Sequence, residues 1–198
     1  MTEDRDLAPV GIRIRHYREM LGIRSSNALA ALIPNPKITS VVIQNIEAGR
    51  KADVGVSQLL DIAAGLGISP LLLLVDVRHP FAPIDLPNVS DKLRDMLTID
   101  FLAWARFDAP LGAEPAAAAE MSASARDLMV VAMNERTIAK LHDTASRTPL
   151  GSGERGRYEQ LIESFRHDQS DAEARLEAAG ISLQGLYEYT ARMNGSPA

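Results

Sequence analysis

The sequence predicts an all-α protein, with a five-helix N-terminal domain followed by a separate α-helical C-terminal domain. Leucine, alanine and methionine are plentiful, and the apolar residues recur with a spacing near 3.6 residues instead of alternating. The alternating runs of β-branched residues that build strands are missing. Serine or threonine precedes several apolar segments, and glycine or proline follows them, which is typical of helix starts and stops.

The first two helices have clear boundaries in the sequence. The first is expected over about 10–21, where apolar residues form one stripe. The second begins at Ser25 or Ser26, either of which can cap a helix, and ends near Leu32. Pro34 and Pro36 follow that end, and each proline disfavours the helical conformation in the residue before it.

Three more helices follow before residue 76. The third is capped by Thr39 or Ser40 and ends at Gly49, because glycine suits the left-handed position just past a helix end. The fourth is expected over about 54–66, and the fifth is a short leucine-rich helix with Pro70 in its first turn. The fourth helix is expected to bury Val56, Leu59, Leu60, Ala63 and Leu66.

A proline-rich segment marks the expected boundary between the two domains. Residues 78–90 carry three prolines, which stiffen the chain and oppose regular structure. We therefore expect an N-terminal domain at 7–77, a linker at 78–90 and a helical domain at 91–198. Apolar stripes predict that domain's helices: Leu93, Leu97, Phe101 and Trp104 before Pro110; Leu128, Val131, Ile138, Leu141 and Ala145 within 115–146; Tyr158, Leu161, Ile162, Phe165, Ala172 and Leu176 within 154–179; and Leu183, Leu186, Tyr187 and Met193.

Composition excludes several classes of protein. The chain has no cysteine, so disulfides, thiolate catalysis and cysteine-ligated zinc are excluded. It opens with MTEDRD, which is no secretory signal, and its longest uncharged run, 62–75, falls short of the ~20 apolar residues of a membrane span. We expect a soluble cytoplasmic protein without a membrane partner.

Nothing in the sequence forms a credible catalytic or cofactor site. The four histidines lack metal-ligand spacing. The stretch GSGERG, residues 151–156, follows a predicted helix instead of a strand, so it is more simply a turn than a nucleotide-binding loop. We expect no enzymatic activity, no cofactor and no metal.

Charge is distributed unevenly along the chain. The net charge is −5, but residues 7–51 carry seven basic side chains against two acidic ones. A local basic surface on an acidic protein is compatible with a nucleic-acid partner.

The third helix has the profile of a DNA-reading helix. Ile43 and Ile46 are expected to attach it to the core, which leaves a small and mostly polar opposite face: Val41, Gln44, Asn45 and Ala48. Side-chain amides can bond adenine bidentately in the major groove, and a methyl-bearing side chain can contact thymine. The flanking basic residues would then lie near phosphates and supply affinity instead of sequence preference: Arg24, Lys37, Arg50 and Lys51.

Residues 9–75 resemble the five-helix helix-turn-helix domain of the lambdoid repressor and Cro family, also called the XRE family. The matching stretches are YREMLGI at the end of the first helix, ALAAL in the second, VVIQNIEAGRK for the third, and SQLLDIAAGLGISPLLLL for the fourth and fifth. The chain departs from the family at IPNPKI, residues 33–38, where the connection is longer than related proteins usually have.

The resemblance also implies roles for individual residues. An arginine of the first helix pairs with a glutamate of the recognition helix, which here implies Arg18 with Glu47. The implied base contacts are Ser40, Val41, Gln44 and Asn45. With the basic residues that flank the third helix, the full set of expected phosphate contacts is Arg24, Ser25, Ser26, Asn27, Lys37, Thr39, Arg50 and Lys51.

The function that follows is sequence-specific binding of double-stranded DNA by a transcriptional regulator, most simply a repressor. Phage or prophage immunity is the setting that the resemblance suggests. One recognition helix reads a short half-site, so we expect a palindromic operator and a homodimer formed by the C-terminal helices. Two alternatives stay open: an antitoxin or adaptor whose helical half binds a protein partner, and a C-terminal half that binds an antirepressor, a protease or a small effector.

Overall fold

The computed structural model describes residues 9–51, 53–109, 115–149, 151, 153–183 and 185. Within these residues the regular elements are nine helices and no strands, which confirms the all-α class. The chain divides into two compact units, Met1–Ala105 and Arg106–Ala198. The helix expected around Leu186, Tyr187 and Met193 lies outside the described residues, as does Pro110.

The first unit contains seven helices. In chain order they are α1 (Pro9–Met20), α2 (Ser26–Ala31), α3 (Ser40–Glu47), α4 (Val56–Leu66), α5 (Leu71–Leu74), α6 (Asp91–Arg94) and α7 (Thr98–Ala105). The first five enclose one apolar core, whose fully buried large side chains include Ile14, Leu29, Ile43, Ile46, Ile62 and Leu73.

Side-chain caps fix where α2 and α3 begin. The Ser25 hydroxyl accepts a hydrogen bond from the Ala28 amide at 3.1 Å, so Ser25 and not Ser26 caps α2. Thr39 caps α3 in the same way through the Val42 amide, at 3.3 Å. Gly49 follows α3 with φ of 69°, the left-handed conformation expected there.

The prediction of which α4 side chains are buried is partly wrong. Leu59, Ala63 and Leu66 are buried as expected, and Ile62 joins them. Val56 and Leu60 are exposed instead. Leu60 follows Leu59 directly and therefore lies about 100° around the helix from the buried stripe, while Val56 is the first residue of α4.

The proline-rich segment 78–90 is part of the first unit and not a linker. Ile84 is buried, and its amide donates a hydrogen bond to the Met96 carbonyl at 2.9 Å. The Arg13 guanidinium pairs with Asp85, which ties the segment to α1. Prolines forbid a helix here, but they do not prevent an extended segment from packing on the core.

The stripe from Leu93 to Trp104 does not form one helix. It is divided between α6 and α7, with Met96 buried between them. The Thr98 amide donates to the Ala82 carbonyl at 2.9 Å, and the Met96 carbonyl accepts from the Ile84 amide. These two backbone groups therefore bond to the segment 78–90 and not within one continuous helix. The break lets the segment 78–90 attach to the first unit.

The second unit contains a helical hairpin of α8 (Ala116–Arg147) and α9 (Gly153–Ala178), close to the bounds expected from the sequence. The two helices are antiparallel, because Asp127 near the start of α8 pairs with Arg175 near the end of α9. Further along, the Asn134 side chain donates to the Phe165 carbonyl at 3.1 Å. A small core lies between the helices: Val131, Ala172 and Leu176.

Two side chains expected on the inward face of this hairpin lie outside. Leu128 and Leu161 are both exposed, so these two expectations are wrong. In α8 the buried positions are Val131, Asn134 and Ala145. The described residues contain no helix with the length and apolar character that crossing a bilayer requires.

Candidate nucleic-acid interface

Two isoleucines hold α3 against the core. Ile43 and Ile46 are fully buried, whereas Val41 on the other side of the helix is 61% exposed. Gln44 is exposed and Asn45 is half-buried. The orientation of α3 therefore leaves the amides of Gln44 and Asn45 on its outer side.

A glycine in α1 sets how closely α1 and α3 approach each other. A Cβ atom added at Gly11 would lie 2.1 Å from the Ile46 carbonyl oxygen, well inside the contact distance of two heavy atoms. The two helix backbones touch at this point, and any side chain at Gly11 would separate them. Nothing in the sequence marks this residue, since a glycine inside an apolar stripe does not reveal its neighbour.

A buried ion pair joins α1 to the end of α3. The Arg18 guanidinium donates to both carboxylate oxygens of Glu47, through Nε at 2.7 Å and Nη2 at 3.1 Å. Its Nη1 donates to the Ile23 carbonyl at 2.9 Å. The Glu47 carboxylate holds the pKa of Arg18 above its ordinary value. This is the pair that the family resemblance implies, and it fixes α3 at its C-terminal end.

Ser26 does not present its side chain to a ligand. Its hydroxyl is buried and donates to the same Glu47 carboxylate at 3.3 Å. The Ser26 hydroxyl is therefore already used inside the protein, and the phosphate contact of this residue stays a prediction. Ser25 and Asn27, its neighbours, are exposed.

The four side chains expected to contact bases share the outer part of α3. Val41 and Gln44 are exposed, and Ser40 and Asn45 are half-buried. The side-chain amides of Gln44 and Asn45 make no hydrogen bond with any residue that the structure describes. Their donors and acceptors are therefore free to bond an external partner.

Most of the described arginines and lysines of the first unit fall into two groups. Five arginines pair with carboxylates inside the unit: Arg13 with Asp85, Arg15 with Glu19, Arg18 with Glu47, Arg78 with Asp76, and Arg94 with Asp91. Arg24, Lys37 and Arg50 are exposed, and none of them pairs with a carboxylate among the described residues. These three stand just before α2, just before α3 and just after α3.

Lys51 occupies an intermediate position. Its ammonium donates to the Gln58 side chain of α4 at 2.5 Å, and the residue is half-buried. No carboxylate in the part of the chain that the structure describes pairs with it, so its charge remains available to a nearby anion. Thr39 and Ser25 use their hydroxyl oxygens as acceptors at the helix caps, but each hydroxyl hydrogen can still be donated.

The longer connection between α2 and α3 is packed against the core. Ile33 and Ile38, at its two ends, are both buried. Between them, the Asn35 amide donates to Asp61 of α4 at 2.6 Å, and its oxygen accepts from the Lys37 amide at 3.0 Å. The additional residues therefore form an anchored turn that leaves Lys37 exposed.

Replacing Asn35 with alanine is expected to lower the free energy of unfolding by about 1–2 kcal/mol, because two hydrogen bonds are lost and Asp61 keeps no amide partner. Urea denaturation followed by circular dichroism measures this change. Asn27→Ala is the matched control, since Asn27 is exposed and makes no hydrogen bond with the described residues through its side chain. Equal effects of the two substitutions would contradict the anchoring role of Asn35.

The described residues hold no group of three or more histidine, aspartate or glutamate side chains arranged to bind a metal ion. Comparison with protein-family models, with curated proteins and with solved structures gave no match.

Proposed function

We propose that this chain is a sequence-specific double-stranded DNA-binding transcriptional regulator, most simply a repressor that covers a promoter, and that it acts as a homodimer. The packing of α2 against α3 supports a helix-turn-helix arrangement in which α3 is the recognition helix. The family resemblance of residues 9–75 supports the same assignment.

The observation that carries the proposal is the distribution of unpaired positive charge. Among the residues that the structure describes in the first unit, the arginines distant from α2 and α3 have carboxylate partners, whereas Arg24, Lys37 and Arg50 have none. Cations left without partners at the ends of two packed helices are suited to phosphates, whose binding releases condensed counterions. The uncharged outer side of α3 lies between them along the chain.

The proposed mode of binding places α3 in the major groove. Gln44 and Asn45 would form hydrogen bonds with base edges, and Val41 would contact a thymine methyl group. The Ser40 hydroxyl could bond a donor or an acceptor on a base edge. Arg24, Lys37 and Arg50 would hold the flanking phosphates. Lys51 and the hydroxyl or amide groups of Ser25, Asn27 and Thr39 would add polar backbone contacts.

A short half-site read by one helix is insufficient to find an operator in a genome. Two copies that bind half-sites one helical turn apart would increase the preference for the operator over other DNA, and the operator would be palindromic. Regulation of phage or prophage immunity genes is the setting that the resemblance suggests.

Gln44→Ala and Asn45→Ala are each expected to reduce discrimination at one base position by about 1–3 kcal/mol. Neither side chain has a hydrogen-bond partner among the described residues, so melting temperature and helicity should stay nearly unchanged. Competition binding against operator variants with one altered base pair measures the change. Gln160→Ala on the outer side of α9 is the control and should leave discrimination as it is.

Arg50→Ala is expected to weaken binding to all duplexes alike and to reduce the slope of log K against log salt by about 0.9 for one lost phosphate contact. Arg15→Ala removes an exposed arginine that is already paired with Glu19, so it should leave the slope unchanged. Titrations at several salt concentrations compare the two variants. Identical slopes for both variants would contradict the assignment of Arg50 to phosphate.

An antitoxin or adaptor is the second candidate, and the exposed apolar side chains of α8 favour it. In that case the helical half would bind a different protein, and DNA binding would serve only autoregulation. A protein partner that stays with the chain in stoichiometric amounts through purification would favour this candidate over the first.

A further inference from the structure

One face of α4 contacts the chain on both sides of α3. Gln58, Asp61 and Gly65 follow one another at intervals of three and four residues. At the helical repeat they fall within about 60° of arc, so they share one face of α4. Asp61 and Gly65 contact the connection that precedes α3, and Gln58 contacts the segment that follows it. We call these three residues the anchoring face of α4.

Before α3, the anchoring face holds the backbone that carries Lys37. The Asn35 amide donates to the Asp61 carboxylate at 2.6 Å, and the Asn35 side-chain oxygen accepts from the backbone amide of Lys37 at 3.0 Å. A Cβ atom added at Gly65 would lie 2.5 Å from Cγ1 of Ile33, so the start of the connection packs directly on the α4 backbone. The exposed Lys37 side chain therefore extends from a fixed position.

After α3, the anchoring face holds the ammonium group of Lys51 itself. The ammonium donates to the side-chain oxygen of Gln58 at 2.5 Å. The backbone amide of Lys51 donates to the Asn45 carbonyl of α3 at 3.1 Å. Lys51 is thus attached to α3 through its backbone and to α4 through its side chain, and its ammonium keeps further N–H donors for an anion.

Both attachments use neutral groups, so they leave the charge of each lysine uncompensated. Exposed arginines of the same unit are held by carboxylates instead, as Arg15 is by Glu19. Neither Lys37 nor Lys51 pairs with a carboxylate within the described part of the chain. An arrangement that fixes a cation without neutralising it is suited to binding an external anion, because less conformational freedom remains to be lost on binding.

We propose that Gln58 and Asp61 are positioning residues for phosphate binding. Through them α4 fixes Lys37 before α3 and Lys51 after it, so that both lysines meet the DNA backbone when α3 lies in the major groove. The proposal rests on the proposed function and deepens it, because it extends the DNA-binding machinery to α4.

Double-variant cycles test the positioning role with the full chain and a fluorescent duplex of mixed sequence. Asp61→Ala and Gln58→Ala are each expected to weaken binding about fivefold, the value of one hydrogen bond. In the Lys37→Ala background, Asp61→Ala should have no further effect, and Gln58→Ala should have none in the Lys51→Ala background. A purely structural role would weaken binding equally with and without the lysine.

Reciprocal exchange tests the pair before α3. Asn35→Asp alone places two carboxylates against each other, and it should weaken DNA binding more than Asp61→Ala does. The Asn35→Asp/Asp61→Asn double variant restores an amide opposite a carboxylate at the total charge of the wild type, and it should recover most of the binding. Circular dichroism checks that all variants stay folded.

Gln58→Glu tests the neutral attachment after α3. A carboxylate at position 58 would form an ion pair with the Lys51 ammonium and compete with phosphate, so binding should be weaker than in Gln58→Ala. Gln160→Glu adds the same charge on the exposed side of α9 and should leave binding nearly unchanged.

The failure of this proposal is distinguishable from the failure of the proposed function. Asp61→Ala and Gln58→Ala variants that bind DNA as the wild type does, or that lose binding equally in both backgrounds, would overturn the positioning role and leave the regulator intact. A wild-type protein that binds no duplex at low salt would reject the regulator and the positioning role together.

Discussion

Glu47→Ala is expected to lower the free energy of unfolding of the first unit by about 3–5 kcal/mol. The substitution leaves the Arg18 guanidinium buried, with a hydrogen bond to the Ile23 carbonyl and only the solvent-exposed Glu19 carboxylate, 3.6 Å away, as a described counter-charge. The Ser26 hydroxyl also loses its partner. An uncompensated buried charge costs far more than the ion pair itself contributes. Urea denaturation followed by far-ultraviolet circular dichroism measures the loss, and a small domain should unfold in large part.

Two variants identify the source of that loss. Glu19→Ala removes a carboxylate of the same α1 surface that lies in solvent, so it should leave the denaturation midpoint nearly unchanged. Arg18→Met combined with Glu47→Leu removes both charges and should recover most of the stability, because apolar residues can replace a buried pair. A double variant as unstable as Glu47→Ala would contradict this account of the pair.

Gly11→Ala is expected to destabilise the first unit by at least about 3 kcal/mol. The added Cβ would lie 2.1 Å from the Ile46 carbonyl oxygen, and a backbone atom cannot move away as the end of a flexible side chain can. α1 and α3 must therefore separate, which tilts α3. If α3 reads DNA as proposed, the variant should lose specific DNA binding even at temperatures where it remains helical.

The same substitution elsewhere in the chain is the matched control. Gly156 lies inside α9, and a Cβ added there meets nothing within 4 Å. Gly156→Ala should therefore stabilise the protein by about 0.5–1 kcal/mol, because alanine loses less backbone entropy in a helix than glycine does. Thermal denaturation of both variants measures the two changes. Opposite signs are expected, and a stable Gly11→Ala protein would contradict the close contact between α1 and α3.

Local signals in the sequence were sufficient to predict most helix ends. A hydroxyl cap or a left-handed glycine acts on neighbours within a few residues, so the sequence predicted Gly49 at the end of α3 and narrowed each cap to two residues, Ser25 or Ser26 and Thr39 or Ser40. The structure shows that Ser25 and Thr39 are the caps. The partner of Arg18 was available only from the family resemblance, since its contact with Glu47 spans 29 residues.

Contacts between distant parts of the chain could not be predicted. Asp85 lies 72 residues from Arg13, and nothing in the prolines around it shows that the segment packs on α1. The role of Gly11 could not be predicted either, because it depends on where α3 crosses α1. Apolar periodicity also could not decide the orientation of Leu128, since α8 has apolar residues on two faces.

The central claim is that α3 presents Gln44 and Asn45 to DNA bases, and selection of bound duplexes from a random pool by the full-length protein tests it most directly. We expect one enriched motif made of two inverted half-sites about one helical turn apart, and Gln44→Ala should relax one position in each half. Recovery of unenriched, random sequences at moderate salt would contradict the claim.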